Sequence, residues 1–350
     1  MPGRFYGSSV AGAEGFVDAM IASPLGVTLL AVLEAGRDSD AGWTATPSLT
    51  SPARVAAAVD AVGSMPFGGL VDAAVYAGLI HAGPWIGDAP DTVATAYRNA
   101  EARAPIAAAI EDRFGDVLHA PIDLDAQQWW TVSSAWVESL APLFRDFDRV
   151  SGAGQFTYGG LWTVSDPPEQ AYAQLAAAWE YETGPVRRLS LPVRPEARVF
   201  EIHRPEDWAR LVSEHPRPGA PHPGWELPGV NPYAVVLSSL LAVPNQRAAR
   251  ASIDRQLVPD WSSVADQYDG VHLSWAGFIT SEGCITDISP GTVTMLRYWL
   301  SERTLWLADV FGEPGLLTDP AVDLRSRRDR DASQPTIEDV RVTLDRLLGR

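Results

Sequence analysis

Tryptophan divides this chain. Of its 13 tryptophans, only Trp43 and Trp85 precede residue 120, and all the others fall between Trp129 and Trp306. The first region is alanine-rich and reads as helical. Ser51-Pro52 marks a helix start, a capping serine followed by proline at the first helical position, and the apolar run after it includes Val55, Val59 and Val62. A second helical stretch spans Asp91 to Phe114, with Val93, Ala96, Ala100, Ile106 and Ile110 on or near one face. Pro105 inside it implies either a kink or two shorter helices. Met65-Pro66-Phe67-Gly68-Gly69 reads as a break between helices.

From about residue 121 helical pieces such as Gln170 to Trp179 alternate with short apolar runs. The strands expected are Val186–Leu191, Val199–Ile202, Gly270–Ile279, Val293–Trp299 and Leu305–Val310. His215 to Pro232 is rich in proline and glycine and reads as loop. Unequal spacers between four or five strands do not match a regular βαβ repeat. The fold class expected is therefore α+β: a helical N-terminal region over 1–120, then a tryptophan-rich mixed α+β domain over 121–313. Residues 314–350 read as a polar linker, with a mixed-charge run at Asp323 to Asp331, and a C-terminal helix. That helix, over 336–349, starts at Thr336-Ile337-Glu338-Asp339 and carries an apolar stripe of Ile337, Val340, Leu344 and Leu347. It either docks on the protein's own body or takes a protein partner.

Composition excludes more than it selects. The 27 basic side chains are all arginine. Without lysine there is no Schiff base, hence no anchored pyridoxal phosphate, and no complete Walker loop, kinase strand lysine or serine–lysine pair. The single cysteine, Cys284, rules out a disulfide within the chain and cysteine-rich metal sites, and fits a reducing cytoplasm. It reads as a buried small hydrophobe. A net charge of −17 argues against nucleic acid and anionic membrane as partners. The apolar stretch from Val17 to Leu33 carries Asp18, Ser23 and Pro24 and reads as core helix, neither signal peptide nor membrane span. With 46% apolar residues the chain can build a sizeable core, and a soluble, cytoplasmic protein is expected.

The densest chemical cluster is Pro259-Asp260-Trp261 with Tyr268-Asp269-Gly270-Val271-His272-Leu273-Ser274-Trp275. Strand alternation would put His272, Ser274 and Ala276 on one face, lining a pocket or simply hydrogen-bonding across the sheet. A glycine-rich segment, Gly152 to Thr163, lacks the third glycine of a dinucleotide fingerprint and reads as a loop leading to a short strand, with Tyr158 and Trp162 beside a cleft. Glu201 and His203 share a strand face and could join a site. Glu206 and Asp207, after Pro205, suit the first turn of a helix. The six histidines show no metal-ligand spacing, so no metal is expected.

Residues from about 144 to 311 resemble a loose group of largely actinobacterial proteins whose order of elements is that of the ADP-ribosyltransferase-like fold. The residues that carry the resemblance are Phe144-Arg145, Gly160-Leu161-Trp162-Thr163, Ala197 to Ile202 with Asp207-Trp208, Pro259-Asp260-Trp261, Tyr268 to Ser274, and Glu302 to Trp306. It implies NAD as substrate in a cleft, Arg145 as the early basic residue, and Trp162 or Thr163, with Tyr158, on the nicotinamide wall. It further implies Ser274 or His272 in the pocket and Glu302 as the late acid that stabilises positive charge as nicotinamide leaves. Three functions stay open: an NAD-consuming transferase or glycohydrolase, a non-enzymatic acidic interaction protein that neutralises a basic partner, and an enzyme on a sugar or aromatic metabolite using paired carboxylates.

Overall fold

The computed structural model describes residues 15–38, 42–43, 50–82, 96–131, 144, 147, 150–151, 156–157, 159–165, 185–219, 255–296, 299, 301–317 and 322–323. Among the described residues the longer helices of the first part are α1 Phe16–Ala22, α2 Pro24–Ala35, α3 Pro52–Ser64, α4 Phe67–Ala82 and α5 Ala104–Leu118, with short helical turns at 96–98 and Glu101–Arg103 before α5. Three more lie among the strands: α6 Pro205–Glu214, α7 Trp261–Gln267 and α8 Trp275–Ser281. The fold is α+β, a helical region followed by a strand-rich one.

The strands are, in order, β1 Arg37–Asp38, β2 Gly42–Trp43, β3 Gln127–Thr131, β4 Val150–Ser151, β5 Phe156–Thr157, β6 Leu161–Ser165, β7 Pro185–Ser190 and β8 Val199–Ile202. Then come β9 Pro216–Pro218, β10 Arg255–Pro259, β11 Gly270–Leu273, β12 Ile285–Ser289, β13 Thr292–Met295, β14 Arg303–Trp306, β15 Gly315–Leu316 and β16 Val322–Asp323. The main sheet runs β15-β7-β3-β6-β14-β11-β8, with β16 also on β7, and a smaller sheet runs β12-β13-β10-β9. Most neighbours in the main sheet are antiparallel, but β8 and β11 are parallel.

Local chemistry sets the helix boundaries. Ser23 splits the first apolar stretch: its Oγ accepts from Gly26 N at 2.9 Å, capping α2, and donates to Ile279 O at 2.9 Å. The two helices meet at 92°. Gly26 is obligatory there, because a Cβ would sit 2.1 Å from Met20 O. Ser51 caps α3 with Pro52 in its first turn, as the sequence implies. Pro105 likewise lies in the first turn of α5; a helical turn at 96–98 and a 3-10 turn at Glu101–Arg103 precede it, so the expected stretch is divided into shorter helices, the second of the two alternatives. The break near residue 66 is narrower than expected, since α4 already begins at Phe67 and takes Gly68 and Gly69 into its first turn.

The helical region and the sheet share one core. Met20, Leu29, Val62 and Ile110 pack in the same cluster as Phe200, Val271, Leu273, Trp275 and Phe278. The composition change near residue 120 therefore marks a change of elements within one hydrophobic body. Among the described residues no single helix is long and apolar enough to cross a membrane, and α1 and α2 are buried within this core. Cys284 is buried too, and burial pushes its thiol well above the ordinary range.

Several expected strands end early. Gly270–Ile279 is a strand only to Leu273; Ser274 then caps α8 by accepting from Gly277 N at 3.1 Å. Capping by serine and the close fit of Gly277 against Ile202, where a Cβ would meet the carbonyl oxygen at 2.1 Å, favour a helix there. The strand at 293 stops at Met295 and the one at 305 stops at Trp306. Part of the expected loop, Pro216–Pro218, forms edge strand β9, where prolines cost least. The Gln170–Trp179 helix, the Asp323–Asp331 run beyond its first residue and the 336–349 helix lie outside the described residues.

Candidate carboxylate–imidazole site

Register partners in a sheet point to the same face, as do residues two apart on a strand. Glu201 pairs with His272, His272 with Thr304, Thr304 with Thr163, and Gln127 with Ser165. Glu302 and Ser165 are each two residues from members of this row. One face therefore carries Glu201, His272, Glu302, Ser165, Gln127 and Thr163. The other carries Phe200, Val271, Leu273, Leu305 and Trp162, which join the helical core.

Hydrogen bonds link the polar row from Glu201 to Thr163, although the buried Thr304 hydroxyl within it has no partner among the described residues. His272 Nδ1 lies 2.5 Å from Glu201 Oε2, and its Nε2 lies 3.1 Å from Glu302 Oε1. Glu302 also accepts from Ser165 Oγ at 2.9 Å and from Ser165 N at 3.3 Å. Gln127 Nε2 donates to Ser165 Oγ at 3.1 Å, while Gln127 Oε1 accepts from Thr163 Oγ1 at 2.5 Å. Thr163 Oγ1 in turn accepts from Trp306 Nε1 at 2.8 Å. Glu201 Oε1 accepts from Ile122 N at 3.0 Å, which ties the segment before β3 to β8.

An imidazole facing two carboxylates satisfies both only when both nitrogens carry hydrogen. Burial alone would lower the basicity of His272. The hydrogen bonds and charges of Glu201 and Glu302 outweigh it and raise its pKa to about 9. Burial pushes Glu201 upward, but the bond to His272 and its charge hold this carboxyl below its ordinary value. The side chains of His272 and Glu302 are 3% and 4% exposed, whereas that of Glu201 is 25% exposed. The row thus has a buried end and an open end.

His203 stands at the open end, two residues beyond Glu201 on the same face. Its Nε2 is 3.7 Å from Glu201 Oε2 and its side chain is 31% exposed. Ser274 Oγ sits 3.0 Å from His203 Nδ1. Asp207, in the first turn of α6, accepts from the His203 backbone N–H at 3.0 Å. Burial, and the nearby His272 charge, lower the pKa of His203 against the pull of Glu201, so its ring is neutral at pH 7. The open end lies at the carboxyl ends of the parallel pair β8 and β11, where two helices begin.

The structure thus brings together His272, Glu302 and Thr163 of the residues singled out from the sequence. Ser274 joins them indirectly, as helix cap and support for His203; it is buried, and it also donates to Ile202 O at 3.3 Å. Trp162 belongs to the opposite face, T-shaped against Trp299. Arg145 and Tyr158 lie outside the described residues. Ser165 and Gln127 escaped the sequence reading: alternation puts Ser165 on the face of Thr163, but its place beside Glu302 comes from the pairing of β6 with β14. Among the described residues no group of three His, Cys, Asp or Glu side chains is placed to hold a metal ion.

Chemically, the open end offers an ionised carboxylate beside a neutral imidazole. The first can stabilise a positive charge that develops on a substrate, and the second can take a proton from water. No protein family, no curated protein and no solved structure matches this chain.

Proposed function

We propose that this chain is an enzyme that cleaves a glycosyl bond, with Glu201 facing the anomeric centre and His203 activating the attacking water. The observation that supports this reading is the convergence of Glu201 and Glu302 on the two nitrogens of His272. That arrangement fixes Glu201 as an anion at a partly open position and leaves His203 uncharged beside it. Glu302, buried and bonded to His272 and Ser165, acts as a positioning residue.

The bond to the leaving group breaks with its electron pair, and the ring oxygen of the sugar shares the resulting positive charge. Glu201 stabilises that charge. Water adds to the anomeric carbon and gives its proton to His203. At neutral pH neither Glu201 nor His203 carries a proton to donate, so the leaving group must depart without protonation. A pyridinium, which leaves as a neutral base, meets this requirement; an alkoxide does not. NAD, the substrate implied by the family resemblance, carries such a group.

The test is proton NMR of the full chain with NAD and with an alkyl glycoside. Nicotinamide is expected from NAD, with the alkyl glycoside left intact. Glu201→Gln and His203→Gln are each expected to slow nicotinamide release by roughly 10²–10⁴-fold while the fold persists. Absence of any release, or release undiminished in both variants, would refute the reading.

A further inference from the structure

Two arginines, Arg103 and Arg303, are drawn into the protein and are matched differently. Arg103 is fully buried, and its Nε donates to Glu34 Oε2 at 2.7 Å. Arg303, half-buried at the start of β14, points to the face opposite Glu302. Its Nε and Nη2 donate to Ser301 Oγ at 3.2 and 3.0 Å, and its Cζ lies 5.6 Å from the centroid of the Trp162 ring. Among the described residues no carboxylate lies within ion-pair distance of it. Glu302 and Glu282 reach it only as more distant charges, and burial, opposed by those charges, lowers its pKa to about 10.

A second donor at the same ring is also unmatched. Trp299 is fully buried, with its ring centroid 4.9 Å from that of Trp162. Its backbone N–H donates to Glu282 Oε2 at 3.3 Å, yet its indole N–H has no acceptor among the described residues. Ser301 is buried as well, and since its Oγ accepts from Arg303 its own hydrogen remains to be donated. Beyond the bonds from Arg303 to Ser301 Oγ, the guanidinium, the indole and the hydroxyl keep donor hydrogens that find no acceptor among the described residues. Buried donors of this kind are normally satisfied, and a charge withdrawn from water is normally paired.

We propose that Arg303, Ser301 and the Trp299 indole form an oxyanion subsite whose ligand is the phosphate of a phosphorylated small molecule. Phosphate fits better than carboxylate because its three oxygens can serve a guanidinium fork and further donors at once. Arg303 follows Glu302 directly, so the subsite lies at the same end of the sheet as the polar row, on the other side of β14. A ligand crossing that end would place its phosphate on Arg303 and its glycosyl bond near Glu201. This last placement rests on the glycosyl-cleavage reading; the subsite itself does not.

The experiment titrates the ¹⁵N-labelled full chain with inorganic phosphate and follows the tryptophan indole and arginine Nε–H signals. The Trp299 signal, assigned by Trp299→Phe, and that of Arg303 are expected to shift saturably, with a Kd of about 1–10 mM for so small a probe. Arg303→Met is expected to weaken binding at least tenfold, and Ser301→Ala severalfold. Arg113→Met, at an exposed arginine that donates to Met65 O, is expected to change nothing. Should Arg303→Met fail to fold, Ser301→Ala and Trp299→Phe carry the decision. Unsaturated shifts spread over surface arginines, or saturable binding unchanged in the folded variants, would overturn the subsite. Saturable phosphate binding without nicotinamide release would keep the subsite and remove only the proposed reaction; release without phosphate saturation would do the reverse.

Discussion

Glu201 and His272 are register partners across the parallel pair β8–β11, and their side chains meet at 2.5 Å. Glu302, at the start of the strand on the other side of β11, completes the row at 3.1 Å. Two anions and one cation are thereby held at one end of a sheet whose opposite face is core. Such a row is costly to bury and more costly to break, because each deletion strands a charge.

Stability should fall as pH rises through the pKa of His272. The folded value of about 9 lies above the unfolded value of 6.5, so the stabilisation is complete below pH 6.5 and disappears as pH passes about 9. The loss should be on the order of 3 kcal/mol. Urea unfolding between pH 6 and pH 10 measures it, and His272→Gln should flatten the curve in that window.

Glu302→Gln should destabilise more than Glu201→Gln. The first removes a charge from a site 4% exposed, and the second from one 25% exposed. About 1–3 kcal/mol is expected for Glu302→Gln and less for Glu201→Gln, read from urea midpoints at pH 7. Equal losses would show that burial does not govern the row.

The pH profile of kcat/KM for nicotinamide release should rise with a midpoint below 6.5, the ordinary histidine value, as His203 loses its proton. Ser274→Ala removes the hydroxyl beside Nδ1 and should move that midpoint. The same change removes the cap of α8 and should cost about 1 kcal/mol in stability. A stability loss with an unmoved midpoint would leave Ser274 a cap alone.

Gly277→Ala should be among the most damaging single-methyl changes in the chain. Its Cβ would lie 2.1 Å from Ile202 O, a backbone atom of the strand bearing Glu201. A loss above about 2 kcal/mol is expected from thermal unfolding, together with weaker turnover, since β8 must shift.

The elements most readable in the sequence were those with local causes. Ser51-Pro52 starts its helix, Val199–Ile202 is a strand with those bounds, and the alternation from Glu201 to His203 does put both on one face. What was not readable depended on pairing. Nothing local says that Gln127 faces Ser165 or that β8 runs parallel to β11, and those pairings make His272 the centre of the row. Ser274 looked like a continuation of the strand because Trp275 to Ile279 is apolar enough for either period; the capping bond to Gly277 decides for helix. Trp162 and Thr163 are neighbours in sequence, and strand alternation sends them to opposite faces.

The most direct test of the account is ¹⁵N NMR of the His272 imidazole across pH. With both ring nitrogens donating, two N–H signals are expected at pH 7, giving way to a ring with one protonated nitrogen at an apparent pKa of about 9. A ring with one protonated nitrogen at pH 7, titrating at or below 6.5, would contradict the carboxylate–imidazole–carboxylate row and the ionised Glu201 that depends on it.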